Sequence, residues 1–345
     1  MNPLTEHLAR SPAQFPLALE PARDLVSFVR LSEADYANAS FLDGRILTPA
    51  ARLSHAPFAD VAQAVSETAL MESAYFIFHT GHVGSTLLSR LLGAHAGVFA
   101  LREPELLRTL AQAWSEPPPR WDRARLEAAL GVFLKLWSRT FRAEQRSVIK
   151  ATSFVSEMAP QILARSSQPR AIFMFVPPES YLATILGAAN SPAESRMLAP
   201  SRLKRLNARL GTDFTLANMS MGEIVAMSWA CEMTALAAAA QSAGGRVHWL
   251  DFDEFLVAPD PSLAACFTHL GFAAPASQVT QILSGPIMSR YAKAQEYQYD
   301  SELRREVLNQ ARIVQAGEIL RGLNWLEQAS ATATQLRYVL EGPAK

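Results

Sequence analysis

A chain of 345 residues with 49% hydrophobic content has the material for one large core, which excludes a mainly disordered protein. Its 32 Lys+Arg balance 32 Asp+Glu, so no global field recruits nucleic acid or an anionic membrane surface, and any anion site has to be built locally. Its two cysteines, Cys231 and Cys266, stand in apolar surroundings without a second cysteine at metal-ligand or redox spacing, and are expected to be buried, reduced thiols.

In chain order, the first 70 residues are less regular, with a helix expected around Asp60 to Leu70 (DVAQAVSETAL), and read as an appendage packed on the core. From residue 71 to 345 one α/β domain is expected. Short apolar runs mark its strands at 75–78 (YFIF), 97–101 (GVFAL), 147–151 (SVIKA), 171–176 (AIFMFV) and 247–252 (VHWLDF). Helical patterns separate them: STLLSRLLGAH, LLRTLAQAW with RLEAALGVFLKLWSRTF, SYLATILGAAN and MGEIVAMSWACEMTALAAAAQSA. Strands that are apolar nearly throughout, alternating with helices, predict a parallel sheet covered on both faces. The charged stretch 191–218 (SPAESRMLAPSRLKRLNARLGTDFTLAN) reads as an insertion, a candidate lid or substrate wall. The N-terminal stretch holds no run suited to a secretory signal. No later stretch approaches the ~20 uncharged apolar residues of a membrane span, and a cytoplasmic location without membrane or nucleic-acid partners is expected.

Ligands of an open parallel sheet bind at the carboxyl ends of its strands. The first such end carries HTGHVGST, residues 79–86, running straight into a helix. Gly81 and Gly84 permit backbone conformations denied to other residues, the amides of His82, Val83, Gly84, Ser85 and Thr86 are placed to face an anion, and Ser85 and Thr86 add hydroxyls. The loop lacks both the glycine spacing and the lysine of a Walker A sequence, which disfavours an ATPase or GTPase, and it lacks the frame of a nucleophile elbow. His79, His82 and His95 match no metal-ligand spacing. The acidic turn Asp251, Asp253, Glu254 fits a helix cap better than a magnesium site, so no metal is expected.

The stretch HTGHVGSTLLSRLLGAHAGV resembles the 5′-phosphosulfate loop of the sulfotransferase superfamily, in particular its bacterial and tyrosylprotein branch. A second stretch, HWLDFDEFLVAPDPSLAACFTHLGF (248–272), resembles the family's strand, acidic turn, proline and helix. The resemblance implies a P-loop NTPase-like three-layer fold with a mostly parallel central sheet. It further implies 3′-phosphoadenosine 5′-phosphosulfate (PAPS) as sulfuryl donor and a small-molecule or peptide hydroxyl as acceptor. His82 takes the place of the family's basic residue, and Lys150 is expected to supply the missing charge. Glu103, in REPELLR, matches the catalytic glutamate and is expected to act as general base, flanked by Arg102 and Arg108 as anion or substrate contacts. Where the family places its 3′-phosphate arginine this chain has Val176 and Pro177, leaving Ser180 or Thr184 as hydroxyl donors. Arg290 and Lys293, with Tyr291 for stacking, are expected to fold over the nucleotide. Two alternatives stay open: a nucleotide-dependent phosphotransferase on the same scaffold, and a non-catalytic nucleotide-binding protein.

Overall fold

The structure is a computed structural model describing Leu8 and residues 11–294, 296, 298 and 300–342. Two sheets organise it. The smaller is antiparallel and comes from the first 57 residues: β1 (Gln14–Glu20), β2 (Leu25–Arg30) and β3 (Leu53–Pro57), in that order. The larger is β4 (Tyr75–His79), β5 (Val98–Arg102), β6 (Arg146–Lys150), β7 (Ala171–Phe175) and β8 (Val247–Asp251), all parallel, in the order β5-β6-β4-β7-β8.

Side-chain alternation explains why these strands are apolar nearly throughout. Phe76, Phe78, Ile149 and Phe173 enter one core, while Ile77, Val148, Ile172 and Met174 enter the other. Helices cover both faces, giving three layers. Helix Ser85–Gly93 contributes Leu88, Leu91 and Leu92 to the second core, and helix Met221–Ala243 feeds residues into both. The chain leaves β4 for β5 on one side, fills the gap with β6, then crosses to β7 on the other side. The strand order therefore reverses at β4, where a doubly wound sheet opens its crevice.

Three expectations are corrected. The first 70 residues are more regular than expected: they hold the three-stranded sheet, helix Glu33–Asn38 and helix Phe58–Ser66, which is shorter than the one expected to reach Leu70. The sheet is fastened rather than merely apposed, because the buried Arg139 guanidinium donates to the carbonyls of Leu8 (2.6 Å), Ser11 (2.7 Å) and Gln14 (2.9 Å). The stretch 191–218 is not a lid. Helix Ser191–Leu210 packs on helix Met221–Ala243, with Arg202 and Arg205 each 3.3 Å from the fully buried Glu232, and with Arg205 and Arg209 bonded to Glu157. Finally, the run Met221–Arg246 is long and apolar enough to cross a membrane by length and composition, but 83% of its apolar window is buried inside the protein. Cys231 and Cys266 are buried and unpaired, as expected.

Candidate functional site

The loop after β4 is held in left-handed backbone geometry at three positions: Gly81 (φ 95°), His82 (φ 56°) and Gly84 (φ 69°). A histidine carries a strain there that glycine does not, and such strain gathers at functional sites. Gly84 has a second reason to be glycine, because a Cβ would meet Phe252 Cζ at 2.1 Å.

The turn leaves its donors unspent. Among the described residues, the N–H groups of His82, Val83, Gly84, Ser85, Thr86 and Leu87 make no hydrogen bond within the protein, and Gly84 at the helix N-cap offers no side chain to satisfy them. Ordinary helix starts leave their first N–H groups open, but here His82 and Val83 extend the row outward. Thr86 Oγ1 is buried without a partner. His79 adds another donor: the Gly81 N–H donates to its Nδ1 (3.0 Å), which places the ring proton on Nε2. That Nε2–H is buried without a hydrogen-bond partner, the nearby backbone of Ala151 lying outside bonding geometry. Burial first, then the charges of Lys150 and Lys293, hold His79 well below the usual histidine range, so the ring is neutral.

These groups face a cavity of about 600 Å³. It is lined by His82, Val83, Gly84, Ser85, Thr86, Glu103, Lys150, Thr184, Arg290, Tyr291 and Lys293 from the sequence reading, while Gly81 and Ser180 stay outside it. Gly81 shapes the turn behind the cavity wall. Ser180 Oγ instead accepts from Arg312 (3.3 Å), and Thr184 Oγ1 donates to the Ser180 carbonyl (2.7 Å). Sequence reasoning passed over Phe252, whose ring packs on Gly84, and Arg304, which lies over the Phe252 ring and 2.8 Å from Asp253. Arg304 stands in the first turn of helix Ser301–Val314, just past the basic stretch that drew attention to Arg290 and Lys293.

The charge assignments change. Lys150 is fully buried, and its Nζ donates to Glu103 Oε1, so the cation expected to serve the anion is neutralised by the expected base. Burial pulls the Lys150 ammonium down while the Glu103 charge opposes the shift. The backbone repeats the link, the Glu103 N–H donating to the Lys150 carbonyl (2.7 Å) with Glu103 in the left-handed region (φ 50°). Lys293 is the cavity lysine without a carboxylate partner among the described residues, and its charge is felt by His79, His82 and Lys150. His82 does not share the work as a cation. The protein around it, then Lys293, Arg202 and Lys150, lower the imidazole to about 4; its exposed place on the rim moderates the first effect without reversing the direction.

Arg102 is not a substrate contact either. It is buried, and its guanidinium donates to the carbonyls of Ala39 (2.6 Å), Ala37 (2.8 Å) and Tyr36. Arg108 is exposed on helix Glu105–Ser115, outside the cavity, where its charge acts on Asp43. Asp251 caps helix Phe252–Val257 by accepting from the Asp253 N–H (2.8 Å), and burial lifts its carboxyl to about 6. Among the described residues no three His, Cys, Asp or Glu side chains gather as a metal site.

No family model matches this sequence, and no curated protein matches it. Among solved structures the chain is similar to the sulfotransferase domain from the curacin biosynthetic pathway, with 14% identity, 72% of this chain and 99% of that chain covered, and a TM-score of 0.41. It is similar also to mouse sulfotransferase SULT7A1 complexed with PAP, at 12% identity, 82% and 93% coverage and a TM-score of 0.42. A third similarity is to the sulfotransferase domain from the Synechococcus PCC 7002 olefin synthase, at 13% identity, 73% and 94% coverage and a TM-score of 0.40.

Proposed function

We propose that the protein is a sulfotransferase that moves a sulfuryl group from PAPS to the hydroxyl of an acceptor. One observation carries the reading: the row of amides from His82 to Leu87, unbonded among the described residues, opens into a cavity that also holds a carboxylate and a lysine, Lys293, with no carboxylate partner among those residues. Such a row suits the oxygens of a phosphosulfate. The resemblance of 79–98 and 248–272 to the family's two ordered stretches narrows the anion to this donor.

The residues present fit such a group. The amides and the otherwise unsatisfied Thr86 hydroxyl and His79 Nε2–H are donors, and Lys293 supplies the cation absent from the loop. Arg290 lines the same cavity and is the candidate contact for a second phosphate, beside Arg304, which is engaged by Asp253, and Thr184, whose hydroxyl donates to the Ser180 carbonyl. When bound, the donor supplies a sulfonate on a good leaving group. In the transfer, the acceptor oxygen forms a bond to sulfur, the bond from sulfur to the bridging oxygen breaks, and its electron pair leaves with the bisphosphate. Glu103 receives the hydroxyl proton. Lys150 holds that carboxylate in place, and fixed donors stabilise charge spread over in-line oxygens without reorganising. A cytoplasmic location belongs to the same reading, and cell fractionation tests it.

Calorimetric titration decides among the classes. Adenosine 3′,5′-bisphosphate should bind at least about tenfold more tightly than ATP with magnesium. The reverse order would favour a phosphotransferase and overturn the proposal. Binding of the bisphosphate without sulfate transfer to any hydroxyl compound would leave only a nucleotide-binding protein. In the transfer assay Glu103→Gln should lower turnover by about 10²–10⁴-fold, and full turnover in that variant would remove the base assignment.

A further inference from the structure

A second cavity, also about 600 Å³, lies at the end of β2 against the segment that follows it, and Lys293 lines both cavities. Its walls come almost wholly from residues 29–51, and the hydrogen bonds beneath it tie that segment to the strand end that carries Glu103. The Leu42 N–H donates to the Arg102 carbonyl (2.7 Å), and the Glu105 N–H donates to the Leu42 carbonyl (3.1 Å), so residues 39–42 run beside Arg102, Glu103 and Pro104. Ser40 Oγ donates to the Lys293 carbonyl (2.9 Å), which seats the lysine at the boundary between the two cavities. Arg45, on the wall of the second cavity, is close enough for its charge to be stabilised by Glu103 and Glu105 as well as by its bonded partner Asp43.

The lining has a definite character. Phe41, Ile46 and Leu31 present apolar surface, and the Arg45 guanidinium lies 3.6 Å above the Phe41 ring. Arg30 and Lys293 add positive charge with no carboxylate bonded to them among the described residues. The one acid on the wall among the described residues, Asp35, accepts from both the N–H (2.8 Å) and the hydroxyl (2.7 Å) of Ser32 through Oδ2 and keeps its charge, but it faces Arg30, Arg45 and Lys293 on the same wall. A neutral or cationic guest would leave those cations uncompensated, while an anion would satisfy them.

Resting on the sulfuryl-transfer reading, we infer that this second cavity is the acceptor pocket. The acceptor it fits is a small hydroxyl compound with a flat apolar body and an acidic group: the body lies against Phe41 and Ile46, the acid meets Arg30, and the hydroxyl passes Lys293 to reach Glu103. The segment from Val29 to Ala51 is then what selects the substrate.

Three phenols with one common body test it: 4-hydroxyphenylacetate (anionic), tyrosol (neutral) and tyramine (cationic). With PAPS saturating, kcat/KM should fall in that order, by about tenfold or more from the acid to the amine, the scale of one charge-assisted contact. Arg30→Ala and Phe41→Ala should each raise KM for the acid about tenfold, while kcat and the affinity for adenosine 3′,5′-bisphosphate stay as in the parent protein. Direct titration of 4-hydroxyphenylacetate without nucleotide should lose its signal in Arg30→Ala. A preference for tyramine, binding of the acid that ignores both substitutions, or binding of none of the three phenols would overturn the inference while bisphosphate binding upheld the donor site. If the bisphosphate fails to bind but the acid still binds through Arg30, the cavity is a site of another kind, and the acceptor assignment falls together with the donor reading.

Discussion

The glycine loop and helix Ser191–Leu210 are the two stretches whose composition most invites a functional reading, and they resolve in opposite ways. In the helix the inward-facing arginines meet acids: Arg202 and Arg205 find Glu232, and Arg205 and Arg209 find Glu157. In the loop, the amides, the Thr86 hydroxyl and His79 Nε2 find no hydrogen-bond partner among the described residues. Charge that is answered inside the fold builds the fold. Donors left unanswered beside a cavity are available to a ligand.

The contrast predicts that damage to the two regions separates stability from binding. Glu232→Ala strands the buried Arg202 guanidinium and leaves Arg205 with Glu157 alone, and should cost about 3–5 kcal/mol of stability, read as a lower denaturant midpoint, with bisphosphate affinity unchanged in the folded fraction. A loss of affinity alone would erase the distinction between the regions. Gly84→Ala comes next, since its methyl would meet the Phe252 ring and its backbone would sit at φ 69°. About 3 kcal/mol of strain is expected, together with loss of bisphosphate binding in calorimetry, so here both readouts move. Lys293→Ala should weaken the bisphosphate about tenfold and leave the thermal midpoint where it was. A larger effect from Lys150→Ala on affinity than on turnover would restore the charge assignment first expected from the sequence.

The smallest effect belongs to His82. Its folded value is held below the ordinary 6.5 by the protein around it and by Lys293, so just below that pH the unfolded chain binds more protons, and stability falls as the pH drops from 6.5. From pH 6.5 to 8 the ring should contribute nothing to the profile of nucleotide affinity. A ring titration seen by NMR near 6.5 would restore the histidine as a shared cation.

Much of this frame was legible in the residues because it is local. All five core strands fall within one residue of their apolar runs, and the turn announces itself through Gly81, Gly84 and the hydroxyls that follow. What stayed hidden depends on pairing across the chain. Glu103 and Lys150 are 47 positions apart and become partners only because β5 and β6 are neighbours, which ties Lys150 to Glu103 and leaves the loop charge expected of it to Lys293. Arg102 looks like an anion contact in a short motif, and only the fold brings the Tyr36, Ala37 and Ala39 carbonyls to it. The N-terminal sheet escaped notice because one of its strands carries Pro16, next to an irregularity in register.

Helix Ser85–Gly93 also reaches backwards along the chain. From its last turn, Arg90 donates to the Ala37 and Asn38 carbonyls (3.3 Å each), to Ser40 Oγ (2.9 Å) and to the Ala292 carbonyl (2.7 Å). A cut at residue 70, where composition draws a border, would strip acceptors from Arg90, Arg102 and Arg139 at once. The leading segment is thus an inseparable limb: a shortened chain starting at residue 71 should emerge insoluble, and supplying the missing piece as a separate polypeptide should rescue it.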